Sequence, residues 1–158
     1  MNLTQRPLSG GGETASGTRA PGQCLRVAET RHERVTKGID KITLTAALEH
    51  VTEHWRPRIV GEINGSKIQL AKFKGDFVWH SHEDSDDLFL VLHGRLAIDL
   101  PDRTVELQSG ELVIVPRGLE HRPRADEEVH VLNIELKGTV NTGDAGDAGE
   151  LTAPEQYL

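Results

Sequence analysis

Two stretches decide the fold. One runs Gly75-Asp-Phe-Val-Trp-His80-Ser-His82-Glu-Asp-Ser-Asp-Asp87 and continues through Leu-Phe-Leu-Val-Leu-His to Gly94. The other runs Gly110-Glu-Leu-Val-Ile-Val-Pro116-Arg-Gly118-Leu-Glu-His121. Successive side chains of a strand point to opposite faces, so His80 and His82 project together. Two imidazoles on one face grip a metal ion. A third imidazole, His121, and a carboxylate, Asp87, complete a set that leaves metal positions open for a ligand. Glu83, Asp84 and Asp86 crowd Asp87, and a run of acids is ordinarily a solvated turn. Asp87 is set apart because it shares a strand face with Phe89 and Val91.

Outward from these stretches, short apolar runs alternate with glycine and proline. Candidate strands are Ile68–Lys72, Phe77–His82, Leu88–Leu92, Arg95–Leu100, Thr104–Leu107, Leu112–Val115 and Val129–Leu136. Gly75, Gly94, Pro101-Asp102, Gly110 and Gly118 separate them. Many short strands with regular punctuation make an all-β sandwich or barrel. Ahead of them, Leu44, Leu48, Val51 and Trp55 form one helical stripe that Pro57 ends. The stripe is expected to pack against the barrel.

The ends of the chain differ from its middle. Residues 1–36 contain Gly10-Gly11-Gly12, Pro7 and Pro21 and offer little apolar surface, so they are expected to be a flexible extension. Residues 37–137 hold the helix and barrel. Residues 138–158, with Gly143-Asp144-Ala145-Gly146-Asp147-Ala148-Gly149, are expected to be a polar tail. That segment lacks the spacing and terminal Glu of a calcium loop.

The 158 residues carry 25 acids and 18 bases, a formal charge of −7, without a basic stripe; this argues against nucleic acid as partner. No apolar run reaches the roughly 18 residues of a membrane span, and the N-terminus lacks the apolar core of a secretory signal. Cys24 is the one cysteine, which excludes an intrachain disulfide and fits a reducing, cytoplasmic compartment.

The paired motifs resemble those of the cupin superfamily. The first family motif has Gly, His-x-His, a Glu and a later Gly; the second has Gly, Pro-x-Gly and a His. The resemblance covers residues 75–121, and flanking strands extend it to about 59–137. Phe77–His82, Pro116–Pro123 and Gly138–Asp144 are similar to the small single-domain conserved-barrel (type 2) cupins. It implies a jelly roll, or double-stranded β-helix barrel, with one short N-terminal helix. It also implies a divalent transition metal (Fe, Mn, Ni, Cu or Zn) on His80, His82, Asp87 and His121, and a homodimer. Asp87 stands where the family has Glu, and its arm is about 1.5 Å shorter. Four residues, rather than five, separate Gly75 from His80, and Ala125 replaces a frequent Asn.

Two function classes follow. One is a metalloenzyme of the dioxygenase or isomerase type acting on a small molecule; the other is a non-catalytic module that binds a small molecule or metal. Phe77, Trp79 and Phe89 are candidates to line the pocket. Arg117, Arg122 and Arg124 are placed to collect an anion, against the ordinary reading of a solvated loop. His93 and His130 are expected to be structural.

Overall fold

The structure, a computed structural model, describes residues 40–158. The expected N-terminal extension, with Cys24 and His32, lies outside the described residues.

The first element is a short helix, α1 (Leu44–Glu49). Seven strands follow: β1 (Arg58–Ile63), β2 (Ser66–Asp76), β3 (Asp87–His93), β4 (Arg95–Asp99), β5 (Thr104–Gln108), β6 (Leu112–Val115) and β7 (Arg122–Leu136). All pairings are antiparallel, in the order β1-β2-β7-β3-β6, with β4 joining β7 and β5 joining β4. This is the all-β jelly roll that the resemblance implies. The 15-residue β7 runs through both halves of the fold. Its first part pairs β4 at Asp99–Arg122, and its last part lies between β2 and β3.

Alternation sets which side chains enter the barrel. In β7, Val129, Val131, Asn133 and Glu135 point inward; in β3, Asp87, Phe89 and Val91 do. Full burial of one such aliphatic side chain contributes roughly 1.5–3 kcal/mol. A one-residue slip would expel the whole row, so the register is firmly specified. The inner core gathers Phe73, Phe77, Phe89, Val91, Leu96, Ile98, Val129 and Val131. A second cluster lies outside the sheet, where Ala47, Leu48 and Val51 cover Leu70, Leu92 and Leu132. The helical stripe is thus buried on its own barrel.

Four expectations need correction. The helix stops at Glu49, and Trp55 sits beyond it with φ of 60°. Its ring stacks on Phe73 at 4.3 Å, and Nε1 donates to Lys74 O, so tertiary packing overrides the helical spacing. Phe77–His82 is not a strand: it lies outside the ladders, held by an isolated bridge between His80 and His121 and by the Phe77 N bond to Pro123 O of β7 at 3.0 Å. β1 was not anticipated, although Asn64-Gly65 closes a two-residue β1–β2 hairpin with φ of 51° and 81°, the combination such a turn requires. Finally, residues 138–158 return to the barrel instead of trailing as a tail. Thr142 is wholly buried, Ile59 N donates to Gln156 O at 2.7 Å, and Leu158 N to Ile59 O at 3.0 Å. Two single 3₁₀ turns, Gly143–Ala145 and Gly149–Leu151, shape this return.

Candidate metal centre

The local chain geometry holds the histidines side by side. His80 N donates to His121 O at 3.0 Å, and His121 N donates back to His80 O at 2.9 Å. Gly118 N donates to His82 O at 2.8 Å, so the Pro-x-Gly turn braces the His-x-His segment. Ring centroids lie 4.3 Å apart for His80 and His121, 4.9 Å for His80 and His82, and 5.9 Å for His82 and His121. Each ring offers a nitrogen within 4.8 Å of the other two. All three are buried.

The tautomers suit metal binding. Nδ1 of His80 lies 3.0 Å from Val78 O, and Nδ1 of His121 lies 3.0 Å from Leu119 O. A carbonyl only accepts, so each ring donates from Nδ1 and keeps its lone pair on Nε2. Burial first, and His121 beside it second, hold the His80 pKa down to about 4. Burial likewise lowers that of His82, against the opposing pull of Asp87. Neutral imidazole is the form that binds a metal.

Asp87 joins from β3. Its Oδ2 lies 3.7 Å from His82 Nε2 and 3.8 Å from His121 Nε2, while Oδ1 accepts a hydrogen bond from Asn133. The four predicted residues therefore come together, even though the shorter Asp arm replaces Glu.

Sequence reasoning missed the polar lattice behind them. Gln69 Nε2 donates to Asn133 Oδ1 at 2.8 Å and to Glu135 Oε1 at 2.9 Å. Lys67 Nζ lies 3.3 Å from the same Glu135 oxygen. These four side chains are at most 7% exposed. They face each other across the β2–β7 ladder as Lys67–Glu135 and Gln69–Asn133. Burial, then the charge of Asp87, pushes the Glu135 pKa up to about 7.

Among the described residues, the buried side-chain atoms left without a hydrogen-bond partner are His121 Nε2 and Glu135 Oε2. Leaving such atoms bare costs roughly 1–3 kcal/mol each. Both sit where nitrogen and carboxylate donors converge, so the residues present fit a divalent metal.

A cavity opens beside the centre. Trp55, Phe73, Phe77 and Phe89 form its apolar wall, and His80, His82, Asp87, Asn133 and Glu135 its polar one. Its volume is about 40 Å³, room for some three waters. Trp79 is not part of it: the residue is 40% exposed, with the Arg122 guanidinium 5.4 Å from its ring. The arginines also point elsewhere. Arg117 pairs with Asp86 at 3.1 Å, and Arg122 and Arg124 converge on Asp99 at 2.8 and 3.0 Å. The rings of His93 and His130 lie 5.4 Å apart, tilted by 48°, and neither lines the cavity.

The chain is similar to known proteins in sequence and fold. A cupin domain family model matches residues 69–135. The uncharacterized protein YdbB of Bacillus subtilis (strain 168) is 39% identical over 83 residues, covering 52% of this chain and 74% of its own. A cupin-2 domain protein from Shewanella frigidimarina superposes with a TM-score of 0.60 at 38% identity, over 61% of this chain and 94% of that one. Protein NMB1881 from Neisseria meningitidis does so with a TM-score of 0.58 at 32% identity, over 62% and 100%. The His-x-His and Pro-x-Gly motifs, the barrel they close and these matches coincide: the chain belongs to the cupin superfamily.

Proposed function

We propose that this protein is a metal-dependent enzyme acting on a small molecule, with His80, His82, His121 and Asp87 as ligands of one divalent transition metal. The observation that supports it is the bare Nε2 of His121, 1% exposed and grouped with two other imidazoles beside a cavity. A bound ion would polarise a carbonyl, activate water or, as ferrous iron, support oxygen chemistry.

The chain's own groups define what enters. The aromatic wall excludes water and orients an apolar part of the substrate. Its polar part faces the metal centre on the opposite wall. Space for about three waters restricts the buried portion to a few heavy atoms. The same tightness favours the second reading, a non-catalytic module for a small molecule or metal. A homodimer in the cytoplasm completes the proposal. It is supported by the exposed apolar edge at Leu112 and Ile114 and by Cys24 as the one cysteine.

Metal analysis of tag-free protein tests the centre, and His82→Ala should abolish stoichiometric metal. Small carboxylates, keto acids and sugars are then screened with iron in air and with manganese or zinc under argon. Oxygen uptake that depends on substrate marks an oxygenase; turnover under argon marks an isomerase or hydro-lyase. Saturable binding without turnover in any regime marks the binding module instead.

A further inference from the structure

The geometry points to a ligand beyond the motif residues. We propose that Glu135 of β7 is a further metal ligand, so that this chain holds its ion with three histidines and two carboxylates. The proposal rests on the metal reading given above and deepens it.

Glu135 and Asp87 are presented in the same way. Each carboxylate is anchored through one oxygen and offers the other. Asp87 Oδ1 is held by Asn133; Glu135 Oε1 is held by Gln69 and Lys67. The remaining Glu135 oxygen, Oε2, has no partner, although the residue is 4% exposed and lines the cavity. A carboxylate kept only to pair with Lys67 has no need to hold its second oxygen bare beside the His82 imidazole.

Distance allows the assignment on the side of the centre formed by His82 and Asp87. Donors bound to one ion at about 2.1 Å lie no more than about 4.2 Å apart. The separations are 3.7 Å for His82 to Asp87, 3.8 Å for His121 to Asp87 and 3.9 Å for His82 to Glu135. The close donors form two sets, His80–His82–His121 and His82–Asp87–Glu135, which have His82 in common, so Glu135 joins the histidines through His82.

Charge favours it too. Lys67 is the buried ammonium beside Glu135, and its Nζ also lies 2.9 Å from Glu155. Glu135 and Glu155 therefore share one ammonium, while Asp87 has no cationic lysine or arginine partner among the described residues, and buried charge is costly without compensation. A divalent cation supplies what is missing. Two carboxylates also shift the preference toward manganese or ferrous iron and away from softer-site metals.

The test is Mn²⁺ binding to the full chain, stripped of metal, followed by calorimetry and by water-proton relaxation. Glu135→Gln keeps the acceptor for Gln69 and Lys67 but removes the charge, and should weaken Mn²⁺ at least tenfold. Loss of affinity alone also fits a positioning role, so hydration decides. In Glu135→Ala a water replaces the carboxylate, and relaxation per bound Mn²⁺ should rise by one coordinated water. Where either variant fails to fold, Glu135→Asp retains the charge on a shorter arm and should show both changes. If wild type binds Mn²⁺ and His82→Ala does not, yet the Glu135 variants match wild type in affinity or hydration, the metal reading stands and the Glu135 proposal is overturned. Wild type that binds no Mn²⁺, Fe²⁺ or Co²⁺ overturns both.

Discussion

Asn133 donates its side-chain amide to Asp87 Oδ1, and this turns Oδ2 toward the Nε2 atoms of His82 and His121. The bond links β7 to β3 inside the barrel, where Asn133 is directly opposite Phe89. It explains how a carboxylate one methylene shorter than the family's usual Glu is still aimed at the histidines. Support of this kind fixes the rotamer of a ligand before the metal arrives.

Asn133→Ala should therefore free the Asp87 side chain. Metal affinity is expected to fall 10- to 100-fold, and the metal-free protein to lose about 1–3 kcal/mol as the buried Asp87 and Gln69 lose a partner. Calorimetric metal titration and urea unfolding measure the two effects separately. Unchanged affinity would show that the Asn133 bond does not prepare the centre.

The histidines were legible because their spacing survives without secondary structure. His80 and His82 leave a segment that forms no strand ladder, yet Pro116–Gly118 still identifies the His121 turn that braces it. β1 was hidden because Arg58, Gly61 and Glu62 interrupt its apolar alternation. Trp55 was misplaced because its packing on Phe73 is long-range. Lys67, Gln69, Asn133 and Glu135 were not singled out, because polar residues within strands ordinarily face solvent. A signal for two of them was present: Asn133 and Glu135 continue the inward phase set by Val129 and Val131. What that phase does not reveal is the partner strand, since the Lys67–Glu135 and Gln69–Asn133 pairs depend on the β2–β7 register.

The C-terminal return makes a second prediction. Gly143 has φ of 50°, and a Cβ there would lie 2.1 Å from Ser81 O and 3.0 Å from His82 Nδ1. Beside it, Asp144 N donates to Ser81 O at 3.0 Å and Ser81 N to Asp144 Oδ1 at 2.5 Å. Gly143→Ala must push this strap off the His80–His82 segment. A loss of about 2–3 kcal/mol is expected from clash and backbone strain together, with weaker metal binding. A melting curve unchanged from wild type would mean that the strap does not hold the segment.

Assembly gives a third. β6 ends the sheet, and Leu112 and Ile114 are 53% and 56% exposed on it. An apolar edge strand invites pairing. Light scattering should give twice the chain mass, and Leu112→Lys with Ile114→Lys should give the monomer. A wild-type monomer at high concentration contradicts the dimer.

The pH dependence of stability isolates Glu135. Burial and the nearby Asp87 place its pKa at about 7 in the folded protein, above the ordinary 4.5. Between those values the folded state holds a proton that the unfolded state has released, so this group's contribution is lost as pH rises from 4.5 through 7. His80 acts oppositely. Its folded pKa of about 4 lies below the ordinary 6.5, so its contribution is intact above 6.5 and is lost as pH falls toward 4. The two slopes oppose each other in wild-type protein and flatten its profile. Glu135→Gln removes one of them. The metal-free variant should therefore gain stability relative to wild type as pH rises from 4.5 to 7, by up to about 3 kcal/mol. Urea unfolding of both proteins across that range gives the difference directly. A constant difference would mean that Glu135 is already ionised in the folded protein at the lower pH, with Lys67 compensating its charge in full.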